Sequence, residues 1–333
     1  MKNFKFDKIF IVAEAGVNHE GKYQDAIKLV KAAKKSGADA IKFQSYNLND
    51  YIWNQDTERF QRMTKFSLNK LQFKKIFDYA KKIGILCFTT PLDNKSVKFF
   101  SKISPFFKVA SGDINNFNLI DAMLKYNLPI IFSTGLSSEK EILKTYKYIL
   151  KRKPKIILEN KLAVMHCKSA YPCPDEEADL KNITLLKEKL NCIVGYSDHT
   201  LGTTACETSA SFGAKIIEKH FTLSKKNRVF RDHNLSATPT ELKKMIKKIR
   251  LIEKLIGNKK REITNNELAN LKYLRRSLFL NKNIKKGTTL KLSDFKMLRP
   301  MIGEKIEDLN LFVNKKTKVD LIKNQPFFKK AII

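Results

Sequence analysis

Short apolar blocks recur along this chain, each closing on a polar cluster, and between them lie longer stretches with apolar residues at helical spacing. The blocks are IFIVAEAG (9–16), AIKFQ (40–44), LCFTTP (86–91), FFKVASGD (106–113), PIIFSTG (129–135), LAVMHCKS (162–169), IVGYSDHT (193–200) and IIEKHFT (216–222). Their length and β-rich content predict strands. Intervening stretches such as YQDAIKLVKAAKKSG predict amphipathic helices that stop on glycine. Ser138 with Glu141 predicts a capping box, as does Thr238-Pro239-Thr240-Glu241, which starts a helix running to about Gly257. Eight strand–helix units in about 250 residues predict a (β/α)8, or TIM, barrel. A doubly wound open sheet would share this periodicity, but no GxGxxG turn follows the first block.

Each block starts apolar and ends polar: Glu14, Lys42 with Gln44, Thr89 with Thr90, Lys108 with Ser111, Ser133 with Thr134, His166 with Ser169, His199, and His220. In a barrel these ends converge on the face where catalysis is found, so the pattern predicts one shared polar site. After Gly257 the pattern changes. Residues 258–276 are polar and predict a linker, helical in part. Residues 277–333 show short alternating runs broken by Gly and Pro, a small mostly-β module suited to a lid or cap. The domains expected are therefore 1–257, 258–276 and 277–333.

Composition narrows the class. At 333 residues the chain exceeds one average domain, and 43% hydrophobic content is ample for a packed core. A formal charge of +32, from 65 Lys+Arg against 33 Asp+Glu, raises nucleic-acid binding as a hypothesis. The lysines, however, occupy polar positions of many helices, in KAAKK, DYAKK and KKMIKKIR, with no basic arm and no aromatic stacking face. No nucleic-acid partner is expected; a solvated shell that favours anionic substrates is. Cysteines at 87, 167, 173, 192 and 206 are irregularly spaced without a CxxC, as befits reduced thiols. The N-terminal MKNFKFDKIFIVAEAG lacks the apolar core of a signal peptide, and no apolar run approaches a membrane span. The expectation is a cytoplasmic protein without a membrane partner.

The stretch from Ile193 to Thr222 carries the sharpest chemistry, with His199 closing one apolar run and His220 the next. If these runs are adjacent parallel strands joined by one helix, their ends lie about 5 Å apart. Two imidazoles at one height could then share a divalent metal. The alternative is a pair of satisfied core histidines. Ser197, Asp198, Glu218 and Lys219 around them are too polar for a core, which favours the metal site. His19, His166 and His233 are weaker candidates, His166 fitting either a place behind the metal ligands or a structural role.

The motifs AEAGVNHEG (13–21), IKFQ (41–44), FKVASGD (107–113), STG (133–135), HCKSAYPCP (166–174), GYSDHT (195–200), EKHFT (218–222) and IKKG…LRP (284–300) run in order along nearly the whole chain. With them the chain resembles the sialic acid synthase family, enzymes that condense phosphoenolpyruvate with an N-acylated hexosamine to make nine-carbon nonulosonic acids. The last motif lies in what resembles the antifreeze-like, or SAF, domain that ends these synthases. The resemblance implies His199 and His220 as ligands of a divalent metal, Mn2+ or Mg2+. It implies Lys42, Lys108, Ser111, Ser133 and Ser197 around phosphoenolpyruvate, where charge and hydroxyl donors suit a phosphate. Thr90 and Ser169 would be further substrate contacts. Glu14 would handle a proton or orient water. Tyr171 and Asp232 would hold the amino sugar, and Arg299 would enter the partner subunit's site to contact the N-acyl group.

Three departures bear on the sugar. Ser169 stands where N-acetylneuraminate synthases commonly carry Asn, FRDH (230–233) replaces GPDH, and Asp113 replaces the Glu of an SGE motif. Arg231 thereby adds a charge and a donor fork beside the sugar pocket. The reaction implied is a metal-assisted, aldol-like condensation with phosphate lost by C–O cleavage. A Schiff-base aldolase using Lys42, Lys108 or Lys219 is the rival enzyme, and it leaves the histidines idle. A basic nucleic-acid-binding protein is the rival from another class. The polar linker of about 19 residues is long enough to reach a neighbour. Pro300 biases Arg299 towards an extended backbone. Together these lead us to expect a homodimer with exchanged caps.

Overall fold

In a computed structural model that describes residues 3–4, 6–226, 228, 230–257 and 260–333, the chain divides into two compact units, Met1–Gly257 and Asn258–Ile333. In the first, eight parallel strands close a barrel in sequence order. They are β1 Phe10–Gly16, β2 Ala40–Ser45, β3 Leu86–Pro91, β4 Phe107–Val109, β5 Ile130–Ser133, β6 Leu162–Cys167, β7 Ile193–Asp198 and β8 Ile216–His220. The expected (β/α)8 barrel is present. β4 is shorter than its apolar block because Ser111–Asp113 turns into a 3-10 segment, with the Asp113 N–H donating to the Ala110 carbonyl at 3.0 Å.

Strand side chains alternate between faces, and that alternation builds the molecule. Near the strand starts the barrel is filled by Phe10, Val12, Phe88, Phe106, Ile131, Met165 and Ile216. Phe88 and Phe106 pack with ring centroids 4.2 Å apart. The outward residues, among them Ile11, Ile41, Phe43, Val164 and Ile217, join the helices in the main core. At the C-terminal ends the inward positions turn polar. Three of the polar residues expected there are out of phase and face the helices instead. Thr89 donates to the Phe43 carbonyl at 3.1 Å, Thr134 donates to the Met165 carbonyl at 3.1 Å, and His166 Nε2 bonds the Ala178 carbonyl at 2.7 Å. Their neighbours Thr90, Ser133 and Cys167 take the inward places.

The capping boxes at Ser138 and Thr238 are both formed, and the second helix runs Pro239–Ile256 before Gly257 stops it at a φ of +65°. An unforeseen box, Asn69 with Gln72, starts helix Lys70–Lys82. Between β2 and that helix the chain makes an excursion through helices Leu48–Tyr51 and Thr57–Phe66, packed on Val17 by Ile52, Met63 and Phe66. Among the described residues the five cysteines are free, and no helix is long and apolar enough to cross a membrane.

In the second unit, Asn258 and Lys259 of the expected linker lie outside the described residues, and helix Asn265–Leu274 follows with its own Thr264–Glu267 capping box. β9 Ser277–Leu280 then pairs antiparallel with β10 Phe295–Leu298. Isolated bridges such as Ile284 with Leu321 extend this small sheet over a core of Leu278, Leu290, Phe295, Phe312 and Phe327. Gly303 is required at its centre, because a Cβ there would sit 2.6 Å from the Leu278 carbonyl oxygen.

Candidate active site

The C-terminal ends of the barrel strands open into a cavity of about 1440 Å³. Its walls include Glu14, Lys42, Thr90, Lys108, Ser111 and Ser133 from β1 to β5 and the turns that follow them. Ser169, Tyr171, Ser197, His199, His220 and Asp232 complete the set from the β6 to β8 side. Every barrel residue that the family resemblance implicates thus lines one cavity. Arg299 belongs to the C-terminal unit, directly after β10.

The floor is a ladder of alternating charge. Lys42 Nζ lies 2.9 Å from Glu14 Oε1 and 3.6 Å from Glu218 Oε1, and donates to Thr90 Oγ1 at 3.1 Å. Lys108 Nζ lies 3.2 Å from the same Glu218 oxygen, to which Ser197 donates at 2.9 Å. Burial pushes Glu14 up to about 7, with Lys42 pulling it back and Glu218 adding repulsion. For Glu218 burial is overcome by Lys108 and Lys42, which hold it down at about 2. Burial also opposes the Lys42 charge, but the two carboxylates more than offset it and raise its pKa. Lys108 is lowered by burial despite Glu218. Two neighbouring carboxyls are therefore driven apart, one titrating near neutrality and one ionised, which is the division an acid–base site needs.

Beside the ladder, Gly135 brings three strand ends together. Its N–H donates to Ser111 Oγ at 3.1 Å, and a Cβ there would fall 2.2 Å from Ser169 Oγ and 2.8 Å from Ser111 Oγ. Only glycine lets these hydroxyls converge next to Ser133. Unpartnered buried atoms mark what the cavity lacks: Ser133 Oγ, Glu14 Oε2 and His220 Nδ1. Native interiors rarely leave such groups bare, so a polar ligand is the natural partner.

His199 and His220 face each other with ring centroids 5.1 Å apart. His199 Nδ1 lies 2.6 Å from the Lys168 carbonyl, which can only accept, so Nδ1 donates; burial lowers the pKa of His199, but Cys167 and this carbonyl more than offset it and raise it, and in the neutral ring Nε2 keeps the lone pair. Burial, and then His199, push the His220 pKa well below the ordinary imidazole value, which favours the neutral ring. Two neutral-capable imidazoles beside an unpartnered Nδ1 suit a borderline divalent cation. Among the described residues no group of three or more His, Cys, Asp or Glu is arranged to hold one. Tyr171 packs against His199 with ring centroids 4.2 Å apart and the planes tilted by 43°, and the Arg231 guanidinium lies 4.8 Å over the Tyr171 ring. Arg59, Arg62 and Lys65 from the excursion, with Glu20 and Glu58, form the mouth.

The sequence profile of the NeuB family matches residues 29–261, and that of the SAF domain matches residues 275–333. The chain belongs to the NeuB family. Among NeuB relatives, the pseudaminic acid synthase of Campylobacter jejuni serotype O:23/36 is 35% identical over 90% of this chain and 90% of its own. The N,N'-diacetyllegionaminic acid synthase of C. jejuni serotype O:2 is 35% identical over 89% of this chain and 92% of its own. The crystal structure of an N-acetylneuraminic acid synthetase from Leptospira borgpetersenii, in complex with citrate, superposes with a TM-score of 0.74 at 32% identity. It covers 79% of this chain and 90% of the other.

Besides the residues of the mouth, Glu218 and Cys167 at the strand ends line the cavity and escaped the sequence reading as site residues. Both were within reach of a simple rule. Glu218 stands two positions before His220 and Cys167 two after Met165, so period two puts each on the inward face. A further expectation fails. Asp198 and Lys219, read as too polar for a core, are completely buried on the outward face, because they meet each other there.

Proposed function

We propose that the chain condenses phosphoenolpyruvate with the open-chain aldehyde of an N-acylated hexosamine, giving a nine-carbon nonulosonic acid and phosphate. The observation that carries this reading is the juxtaposition, in one NeuB-family cavity, of a lysine–serine anion cradle and a histidine pair. Lys42 and Lys108 neutralise phosphoenolpyruvate, and Ser111, Ser133, Ser169 and Ser197 supply hydroxyl donors. His199 and His220 would hold a divalent cation, Mn2+ or Mg2+, which when bound supplies Lewis-acid polarisation of an aldehyde oxygen. Tyr171 and Asp232 hold the sugar.

Carbon 3 of phosphoenolpyruvate bonds to the aldehyde carbon, whose oxygen takes a proton and becomes a hydroxyl. Water adds at C2, and the C2–O bond to phosphate breaks to leave a ketone. Glu14, titrating near neutrality beside Lys42, is the group suited to move the proton or orient the water. The site is cytoplasmic in this reading. In the Schiff-base alternative Lys219 is unsuited, because it faces away from the cavity against Asp198 at 2.6 Å.

A phosphate-release assay with phosphoenolpyruvate and Mn2+ over a panel of N-acylated hexosamines tests the proposal. Release dependent on one of these sugars is expected. No release with any of them, together with a pyruvate adduct trapped by borohydride, would sink it.

The working unit is a homodimer in which each C-terminal unit caps the partner's barrel and Arg299 reaches the sugar's N-acyl group. Support comes from the position of Arg299 in a separate compact unit and from the family resemblance. Mixing Arg299→Ala with His199→Ala chains should restore activity, because one mixed site then carries both intact residues. Absence of rescue under conditions of proven subunit exchange contradicts the exchanged arrangement.

A further inference from the structure

The ends of β7 and β8 bear charged groups on both faces. Ser197, His199, Glu218 and His220 line the cavity, whereas Asp198 and Lys219 point into the helix layer with no exposed surface. Lys219 Nζ donates to Asp198 Oδ2 and to the Thr200 carbonyl, both at 2.6 Å. The Tyr196 hydroxyl and the Thr200 N–H each donate to Asp198 Oδ1 at 2.9 Å, and the Cys206 thiol donates to Oδ2 at 3.3 Å. No side-chain atom of either charged residue is left without a partner.

The proposed chemistry does not use this pair, and a buried ion pair adds little net stability over an apolar one. Its best-attested service is to fix register, and its placement fits that service. Asp198 and Lys219 are direct partners in the β7–β8 ladder, each immediately preceding a cavity histidine. A slip of one residue would turn Glu218 and His220 out of the cavity. The pair also grips Thr200 through both its N–H and its carbonyl, while the His199 carbonyl accepts from the Cys173 N–H at 2.9 Å. The backbone of His199 is thus tied from behind on both sides.

We infer that the buried Asp198–Lys219 pair positions His199 and His220 at the separation a shared divalent cation needs, and so sets cation affinity without touching the cation. The inference rests on the proposed reading of the two histidines. The test is titration of MnCl2 into the metal-stripped full chain, with free Mn2+ followed by electron paramagnetic resonance. The neutral double variant Asp198→Asn/Lys219→Met should bind Mn2+ roughly ten- to a hundredfold more weakly, the usual effect of groups behind metal ligands. Phosphoenolpyruvate KM at saturating Mn2+, which depends chiefly on β2, β4 and β5, should change far less. A double variant that melts earlier yet binds Mn2+ as the wild type does would overturn the inference. If that variant does not fold, Tyr196→Phe removes one donor and keeps both charges; its Mn2+ affinity should fall several-fold, and unchanged affinity overturns the inference as well. Wild type binding Mn2+ no better than His199→Ala would instead refute the histidine reading itself, and the pair's role with it.

Discussion

Two buried clusters of charge lie back to back across β7 and β8, and they are built on opposite terms. On the cavity side Glu14, Lys42, Lys108 and Glu218 share charges unevenly, and Glu14 Oε2 has no partner. On the outer side every acceptor of Asp198 is filled, by Tyr196, Thr200, Cys206 and Lys219. Burial alone therefore does not mark function. A saturated pair is locked, and so can only hold position; an unsaturated ladder retains lone pairs and charge that a substrate can take up. Within the ladder, burial raises Glu14 to about 7, whereas for Glu218 Lys108 and Lys42 overcome burial and hold the carboxyl down.

The contrast can be broken from the cavity side first, where effects are largest. His199→Ala should abolish phosphoenolpyruvate turnover with the fold intact, measured by phosphate release and circular dichroism; full turnover in that variant, or in metal-stripped wild type with chelator present, removes the metal from the account. Next, Lys42→Met or Lys108→Met should raise the KM for phosphoenolpyruvate roughly ten- to a hundredfold, since a charge-assisted contact contributes about 1.5–3 kcal/mol. The KM for the sugar should move much less. Equal changes for both substrates would mean that these lysines support the cavity rather than grip the anion.

The smallest effect sharpens the comparison through pH. Glu14 binds its proton more tightly folded than unfolded, its pKa rising from 4.5 to about 7. Its contribution to stability is thus fully present below about 4.5 and is lost as pH rises through about 7. Histidines with lowered pKa, such as His19 at about 4, act in the opposite direction over part of that window. The informative quantity is therefore the difference in melting temperature between wild type and Glu14→Gln. Relative to wild type, the variant should gain between pH 5 and pH 8. Parallel melting curves across that range would show that Glu14 ionises as an ordinary carboxyl.

Much of this was readable from residue order. Strand and helix periods, the capping boxes at Ser138 and Thr238, and the polar strand ends all depend on local rules, so the barrel and the polar character of its C-terminal face follow from the chain. Only the tertiary structure decided which polar residues face the cavity, because a single step of register moves a side chain to the opposite face. Thr89, Thr134 and His166 fell on the outer face by that rule, and Glu218 and Cys167 on the inner. The fate of Asp198 and Lys219 lay further still beyond local reading. Two charges far apart in sequence become core residues when the fold sets them 2.6 Å apart and supplies their remaining partners, and no window of sequence contains that distance.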